Sequence, residues 1–499
     1  MVNQYLANQQ STILNSDLAG EFPIYLYWSK QQNILLYSKS IKELLNDVRI
    51  PKPLSICDRG LSFLLQSNVV PPPQTAYKNI YILGIGDKAK ACTINNKISV
   101  EFDHNFPFFN NYRLSAGEMK PDENFILQII AEAAIDRIDK SKPTFLFHSA
   151  GKDSNSIALA LAEAGLQKNI TLVSHKSEGK ANESEISKKI AKQLGFNHKV
   201  IYKKNVLENK NKTEIENYFK NISFPSTDGV TLGYPLYINQ LPELKSANII
   251  DGGGNDSYMM ILPSNRDLKI FPISRITNNL SFLRNFIKSE SLLSPFIKTP
   301  AEWCGMSGLS FRDAKKIFDA SENIFGYWKQ KSLLTKSLDY IDFKTSILTP
   351  IIASELHIRK VRNFTDSTDS NLILPFANEK VAKYFSKMPE KYLFDRKSLR
   401  NKIILRKILK DRIDLDSDVL GKMSWNYDPS TILKQNWDWF FKEINNSELW
   451  NKNELNMILN RFYKIMVRDQ NYYSNFAGRQ IYKLYLLSIW KRKNKYLNH

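Results

Sequence analysis

The segment Phe145-Leu146-Phe147-His148-Ser149-Ala150-Gly151-Lys152-Asp153-Ser154 holds the residues with the clearest chemical consequence. An apolar run enters a turn of small residues, and the turn opens a helix. Backbone N–H groups exposed at such a turn, together with the helix dipole, make an anion site. Ser149 and Ser154 can add hydroxyl donors, and Gly151 allows the backbone to approach a ligand closely. Asp153 narrows the ligand. A carboxylate inside a phosphate cradle repels a bare anion unless a divalent cation lies between them, so a magnesium-bound nucleotide fits better than free phosphate. This is not the Walker loop, which needs two glycines separated by four residues and then Lys with Ser or Thr. The plain alternative is an ordinary strand–helix turn rich in small residues.

A second loop, Asp251-Gly252-Gly253-Gly254-Asn255-Asp256-Ser257, follows the mostly apolar residues 247–250. Gly252 and Gly254 suit close approach to a ligand at the end of a parallel strand, and Asp256 offers a second carboxylate to the metal. Glycine-rich turns are common, so this loop gains meaning from its pairing with the first on one sheet edge. His148, at the end of a buried strand, reads as a structural histidine rather than a proton carrier. Lys152, inside the 149–154 turn, is assigned no catalytic role.

The elements around these loops must hold them side by side. Residues 123–138 give a helix with Ile126, Ile130, Ala133, Ala134 and Ile138 on one face. A strand follows at 144–147, a helix at 156–164 stopped by Gly165, and a strand at 170–174. A helix at 183–194, ending at Gly195, leads to strands at 198–202 and 248–251. Strands separated by helices of this length predict an α/β fold, a parallel sheet with helices on both faces. From about residue 260 the chain reads as mainly helical. Before it, apolar runs at 24–28 and 34–37, a helix-like stretch at 40–45, the Pro71-Pro72-Pro73 break and a strand at 80–85 predict a small β-rich domain. The expected division is residues 1–118 and 119–499.

The chain has 499 residues, 42% of them hydrophobic, enough for a sizeable core. Cys57, Cys92 and Cys304 are far apart and fit neither a metal site nor a disulfide framework, which points to a reducing cytoplasm. There is no signal-peptide pattern and no apolar stretch long enough to span a bilayer, so a soluble protein without membrane insertion is expected. The net charge of +20 could attract nucleic acid, yet the lysines are spread along the chain without a basic block, which argues against a nucleic-acid partner.

The 149–154 segment resembles the pyrophosphate-binding loop of the ATP pyrophosphatase (PP-loop) superfamily, usually Ser-Gly-Gly-x-Asp-Ser, and within it the asparagine synthetase family. Asn182-Glu183-Ser184 and the following Ala191-Lys192-Gln193-Leu194-Gly195-Phe196 resemble that family's helix after its adenine-binding strand. Residues 252–257 sit where the family has Gly-Glu-Gly-Ala-Asp-Glu. Pro375-Phe376-Ala377-Asn378 resembles its Pro-Phe-Leu-Asp, and Lys402-Ile403-Ile404-Leu405-Arg406 its Lys-x-x-Leu-Arg. Lys422-Met423-Ser424-Trp425 falls where a lysine–aromatic loop completes the active site. The likeness runs in order over about residues 120–430. Gly253 departs from it where the family has Glu, as do Asn371 and Ile373 where a charged pair is usual.

Residues 36–45 and 69–86 resemble parts of the family's glutaminase domain. Glutamine-hydrolysing members need a cysteine at the mature N-terminus. Here Val2 follows Met1 and no cysteine precedes Cys57. The expectation is a truncated, inactive glutaminase half, as in β-lactam synthetases and lasso-peptide cyclases.

The resemblance implies an ATP-dependent amide-forming ligase. Magnesium–ATP would sit on Ser149, Gly151, Asp153 and Ser154 with Gly252, Gly254 and Asp256, and Asp153 and Asp256 would hold the Mg2+. A small-molecule or peptide carboxylate would be adenylated and passed to an amine, intramolecular or free. Lys422 would meet charge on the phosphate and then on the oxyanion. Lys402 and Arg406 would hold pyrophosphate, their plain alternative being a solvated helix face. Two other readings are a tRNA-modifying PP-loop enzyme, favoured by the charge, and a non-catalytic nucleotide-binding scaffold, favoured by Gly253 and Asn371. The C-terminal aromatics, among them Trp425, Trp437, Trp439, Phe440, Phe441 and Trp490, read as helix packing rather than base stacking.

Overall fold

The computed structural model describes residues 1–5, 11–108, 119–176, 183–277, 281–420, 428–468 and 472–498. The N-terminal strands are β1 (Asn3–Tyr5), β2 (Ser11–Asn15), β3 (Ile24–Ser29), β4 (Ile34–Ser38), β5 (Ile80–Leu83), β6 (Asp87–Ile94) and β7 (Lys97–His104). They form two antiparallel sheets, ordered β1-β4-β3-β5 and β2-β6-β7. Leu26, Trp28 and Leu35 of the first share a core with Ala89, Ala91, Ile98 and Val100 of the second, so the sheets stack as a sandwich. The sequence reading found no hairpin at β6–β7. Its turn is Asn95-Asn96, with φ of 49° and 58°, a left-handed pair that asparagine tolerates and that suits a two-residue hairpin. The opposite face of the first sheet, through Tyr25, Tyr27 and Leu36, joins the main core of the chain.

The predicted parallel sheet is present, with one more strand than expected. It comprises β8 (Thr144–Phe147), β9 (Ile170–Lys176), β10 (Asn197–Tyr202), β11 (Asn248–Ile250) and β12 (Asn371–Ile373), in the order β10-β9-β8-β11-β12, every pair parallel. Successive residues feed opposite cores. Phe145, Val173 and Ile249 enter one cluster, while Leu146, Leu172 and Ile250 enter the other. That alternation within near-continuous apolar runs is what a sheet covered on both faces requires. Helices Glu123–Ile135 and Lys152–Glu163 pack together on one face, and helices Asn209–Asn221 and Arg359–Thr368 pack together on the other. The chain builds outward from β8 through β9 to β10, then crosses back to place β11 on the other side of β8. The edge between β8 and β11 is therefore the topological switch point, where ligands of open α/β sheets bind.

Beyond β11 the chain is mainly helical, as expected. Helix Tyr472–Lys493 is buried along most of its length. Trp437 lies 4.1 Å from Tyr463 between ring centroids, Trp439 and Phe440 pack on Tyr485, and Trp490 meets Tyr77. These rings stabilise helix contacts, in line with the sequence reading. Trp425 lies outside the described residues. Among the described residues no helix is long and apolar enough to cross a membrane.

Candidate active site at the sheet switch point

The strand β8 delivers the first loop, and helix Lys152–Glu163 begins directly after Gly151. The two serines predicted as ligand donors brace the loop from within. The Gly151 N–H donates to Ser149 Oγ at 3.0 Å, and the Ser149 N–H to Ser154 Oγ at 3.2 Å. The two hydroxyls lie 3.3 Å apart. Asn155, buried and not singled out from the sequence, donates from Nδ2 to the Ser149 and Gly151 carbonyls at 3.1 and 2.6 Å. These bonds turn the loop carbonyls inward. The first turn of the helix still carries amides that no intrahelical carbonyl can satisfy, the donors that an anion at this end of the helix would meet.

The second loop follows β11 and presses against the first. A Cβ built on Gly252 would stand 3.1 Å from the Asp153 Cβ and 3.3 Å from the Ser154 backbone nitrogen, so any side chain here pries the loops apart. Gly254 has φ of +115°, and a Cβ there would meet the Ala377 nitrogen at 2.7 Å. Ala377 belongs to the Pro375-Phe376-Ala377 turn after β12, whose Phe376 carbonyl also accepts from Tyr258 Oη at 2.7 Å. That motif thus buttresses the second loop. Asp251 is half-buried; desolvation raises its carboxyl above the ordinary range, against the Gly253 N–H that donates to it at 2.8 Å and the Lys360 charge nearby.

Asp153 and Asp256, proposed from spacing as metal ligands, do face one another. Between them stands Lys402, whose Nζ lies 2.6 Å from Asp153 Oδ2 and 3.5 Å from Asp256 Oδ1. Asn255 Nδ2 holds the other Asp153 oxygen at 2.6 Å. Lys402 is only 7% exposed and sits at the entrance of helix Ile403–Ile413 with φ of 59°. It is not on a solvated helix face. A short hairpin, Phe394–Asp395 with Arg400–Asn401, delivers it, and Asn401 Nδ2 anchors that hairpin to the Met260 carbonyl at 2.9 Å. Burial alone would push the Lys402 ammonium down; Asp153 and then Asp256 outweigh it and hold the pKa above the ordinary lysine value.

Two more cations stand nearby. Lys152 is brought down to about 8 by burial and then by the charges of Arg406 and Lys402. Arg406 donates to the Asn401 carbonyl at 2.7 Å and pairs with Asp418. Lys152 and Arg406 thus stand with Lys402 in a cationic group beside the first loop.

The two carboxylates fit a magnesium ion, which takes one or two protein carboxylates and completes its shell with water and phosphate oxygens. No group of three or more His, Cys, Asp or Glu side chains placed to hold a metal occurs among the described residues. Lys402 already bridges both carboxylates, so the ion and the ammonium would share them.

His148 is buried, with Nδ1 2.7 Å from Ser187 Oγ; that hydroxyl also lies 2.9 Å from His198 Nε2. Burial drives the His148 imidazole down to about 3, so it stays neutral and ties β8 to helix Glu183–Leu194, the structural role expected of it. Lys422 lies outside the described residues, with Met423 and Ser424.

No protein-family model matches the chain, and no curated protein matches it.

Proposed function

We propose that the chain is an ATP-dependent carbon–nitrogen ligase of the PP-loop type, resembling asparagine synthetases, that adenylates a carboxylate and passes the acyl group to an amine. One observation carries the reading. Two loops of different ligand-type composition meet at the switch point of a parallel sheet, with Asp153 and Asp256 facing each other across Lys402. An anion site that invests two carboxylates and a buried lysine is built for a polyphosphate with its cation, not for a lone anion.

In this reading the first-turn amides of helix Lys152–Glu163, with Lys152, Lys402 and Arg406 around them, hold the β- and γ-phosphates. Asp153 and Asp256 would hold the magnesium ion, whose charge offsets that of the phosphates. The substrate carboxylate attacks the α-phosphorus, the bond to the bridging oxygen breaks, and pyrophosphate leaves onto the cations. The amine then attacks the acyl carbon, and AMP leaves as the amide forms. Lys422, by its place in the sequence, would meet the charge that grows on the phosphate and the oxyanion.

The test is ATP–pyrophosphate exchange with a panel of amino-acid and peptide carboxylates. Asp153→Asn and Asp256→Asn should each lose most magnesium-dependent exchange while keeping the far-ultraviolet spectrum of the parent. Full exchange in both variants would remove the assignment.

A further inference from the structure

Residues 264–298, an excursion that follows the second loop, carry an unusual surface. The described elements are Asn265–Thr277, Ser281–Asn285 and Ser294–Ile297; the first packs on the third, which also meets the second. The inner side is firmly anchored. Ile287 and Ile297 are buried, and buried Arg284 donates to both oxygens of Glu302 at 2.6 and 2.5 Å, with its guanidinium 4.7 Å from the Phe325 ring. Several of the segment's large apolar side chains stand exposed. Ile273, Ile276, Phe282, Phe286, Leu292 and Leu293 are between 46% and 76% exposed. Single exposed apolar residues are ordinary, but six large ones within twenty-one consecutive positions (273–293) on an anchored surface mark an interaction face.

The charges on the same segment point to the partner. Its exposed charged side chains are Arg266, Lys269, Arg275 and Lys288, all cationic. Its two acids are both paired, Asp267 with Lys344 at 2.8 Å and Glu290 with Arg461 at 3.2 Å, and neither is exposed. In sequence two of the cations are interleaved with the apolar residues: Arg275 stands between Ile273 and Ile276, and Lys288 two positions after Phe286. Interleaved cations and large aliphatic or phenyl side chains match a surface with negative headgroups above hydrocarbon. A peptide partner would instead call for apolar anchors gathered away from the charges.

We propose that this face docks the protein on the surface of an anionic phospholipid bilayer, without spanning it. The apolar tips enter the headgroup–acyl boundary and the four cations meet the lipid phosphates, while the net charge of +20 draws the molecule toward the surface. This inference does not rest on the ligase reading.

The test is vesicle co-sedimentation of the full chain, using phosphatidylcholine alone and phosphatidylcholine mixed with an equal share of phosphatidylglycerol. Binding is expected to the mixed vesicles only. Substituting Ile276→Ser, Phe282→Ser and Phe286→Ser together should weaken it by roughly a hundredfold or more. Arg275→Gln with Lys288→Gln should cost roughly fivefold per residue. Removing three exposed lysines outside this segment, Lys88→Gln, Lys90→Gln and Lys97→Gln of β6 and β7, should change binding by no more than about twofold. Single Phe286→Ser, checked by thermal melting, covers any misfolding of the triple variant. Equal binding to neutral vesicles, or unchanged binding of the apolar variants, would overturn the proposal. So would a dimer in sedimentation velocity that the same apolar substitutions dissolve, since a second copy would then be the occupant.

Discussion

Replacing Lys402 by methionine tests the centre of the candidate site, because it removes a buried charge while keeping the volume and length of the side chain. The Lys402 side chain is 9% exposed, and its partners Asp153 and Asp256 are 28% and 37% exposed. Breaking a buried pair from one side costs roughly 3–5 kcal/mol when the orphaned charge is fully enclosed. Here water reaches both orphaned carboxylates and screens their repulsion, so a loss of about 2–3 kcal/mol is expected. The loss should be partly reversed by magnesium, which can take the place of the ammonium between the carboxylates, and the variant should bind free magnesium more tightly than the parent. In the proposed reaction, adenylation should fall as well, since the cation assigned to the leaving pyrophosphate is gone. The Lys402 pKa is raised in the fold from its ordinary 10.5, so its stabilisation is complete below that value and fades only as pH climbs through the raised one. The difference between parent and variant should therefore stay flat between about pH 7 and about pH 9. Urea denaturation with and without magnesium, together with calorimetric magnesium titration, measures all of this. A variant with the parental urea midpoint and parental magnesium affinity would refute the bridge.

Three further expectations follow from particular residues. Gly254→Ala forces a Cβ to within 2.7 Å of the Ala377 nitrogen at a left-handed φ, so it should destabilise the protein by about 2 kcal/mol or more in urea and depress nucleotide binding. Burial raises the Glu183 carboxyl to about 7, so the fold holds its proton more tightly than the unfolded chain does, and stability declines as pH rises from 4.5 to 7. Glu183→Gln should remove that slope and, after allowance for solvent screening, be about 1–2 kcal/mol more stable than the parent at about pH 8, the two converging near pH 4.5; parallel urea-midpoint profiles would contradict this. Lys422→Met should leave ATP affinity nearly unchanged while turnover falls by roughly 10²–10³, read by calorimetry and pyrophosphate release.

Much of the architecture was legible in the sequence because it rests on local periodicity. The apolar runs at β8, β9 and β11 and the helices between them predicted a doubly covered parallel sheet, and the small residues and aspartates at 149–154 and 251–257 marked the two loops that meet at its switch point. The three-residue strand β12 was not legible. Asn371-Leu372-Ile373 is too short to show a period, and it becomes a strand only because β11 lies beside it. The serines of the first loop show the same limit. Their types suit a phosphate ligand, yet tertiary geometry turns Ser149 and Ser154 toward each other and the loop backbone. Gly254 could be flagged as a flexible turn, but its necessity comes from Ala377, more than a hundred positions away. Lys402 is the sharpest instance. Its neighbours along the chain fit an amphipathic helix whose lysines face water, so only the resemblance of residues 402–406 to a family motif singled it out, with a solvated helix face as the alternative. It is buried because a hairpin anchored on Met260 carries it across to Asp153, 249 positions earlier, where two carboxylates compensate the desolvation of one ammonium. Local residue types marked the two loops that meet at the switch point. Only long-range packing decided which charges face each other there, because Coulomb energy depends on distance in space and not along the chain.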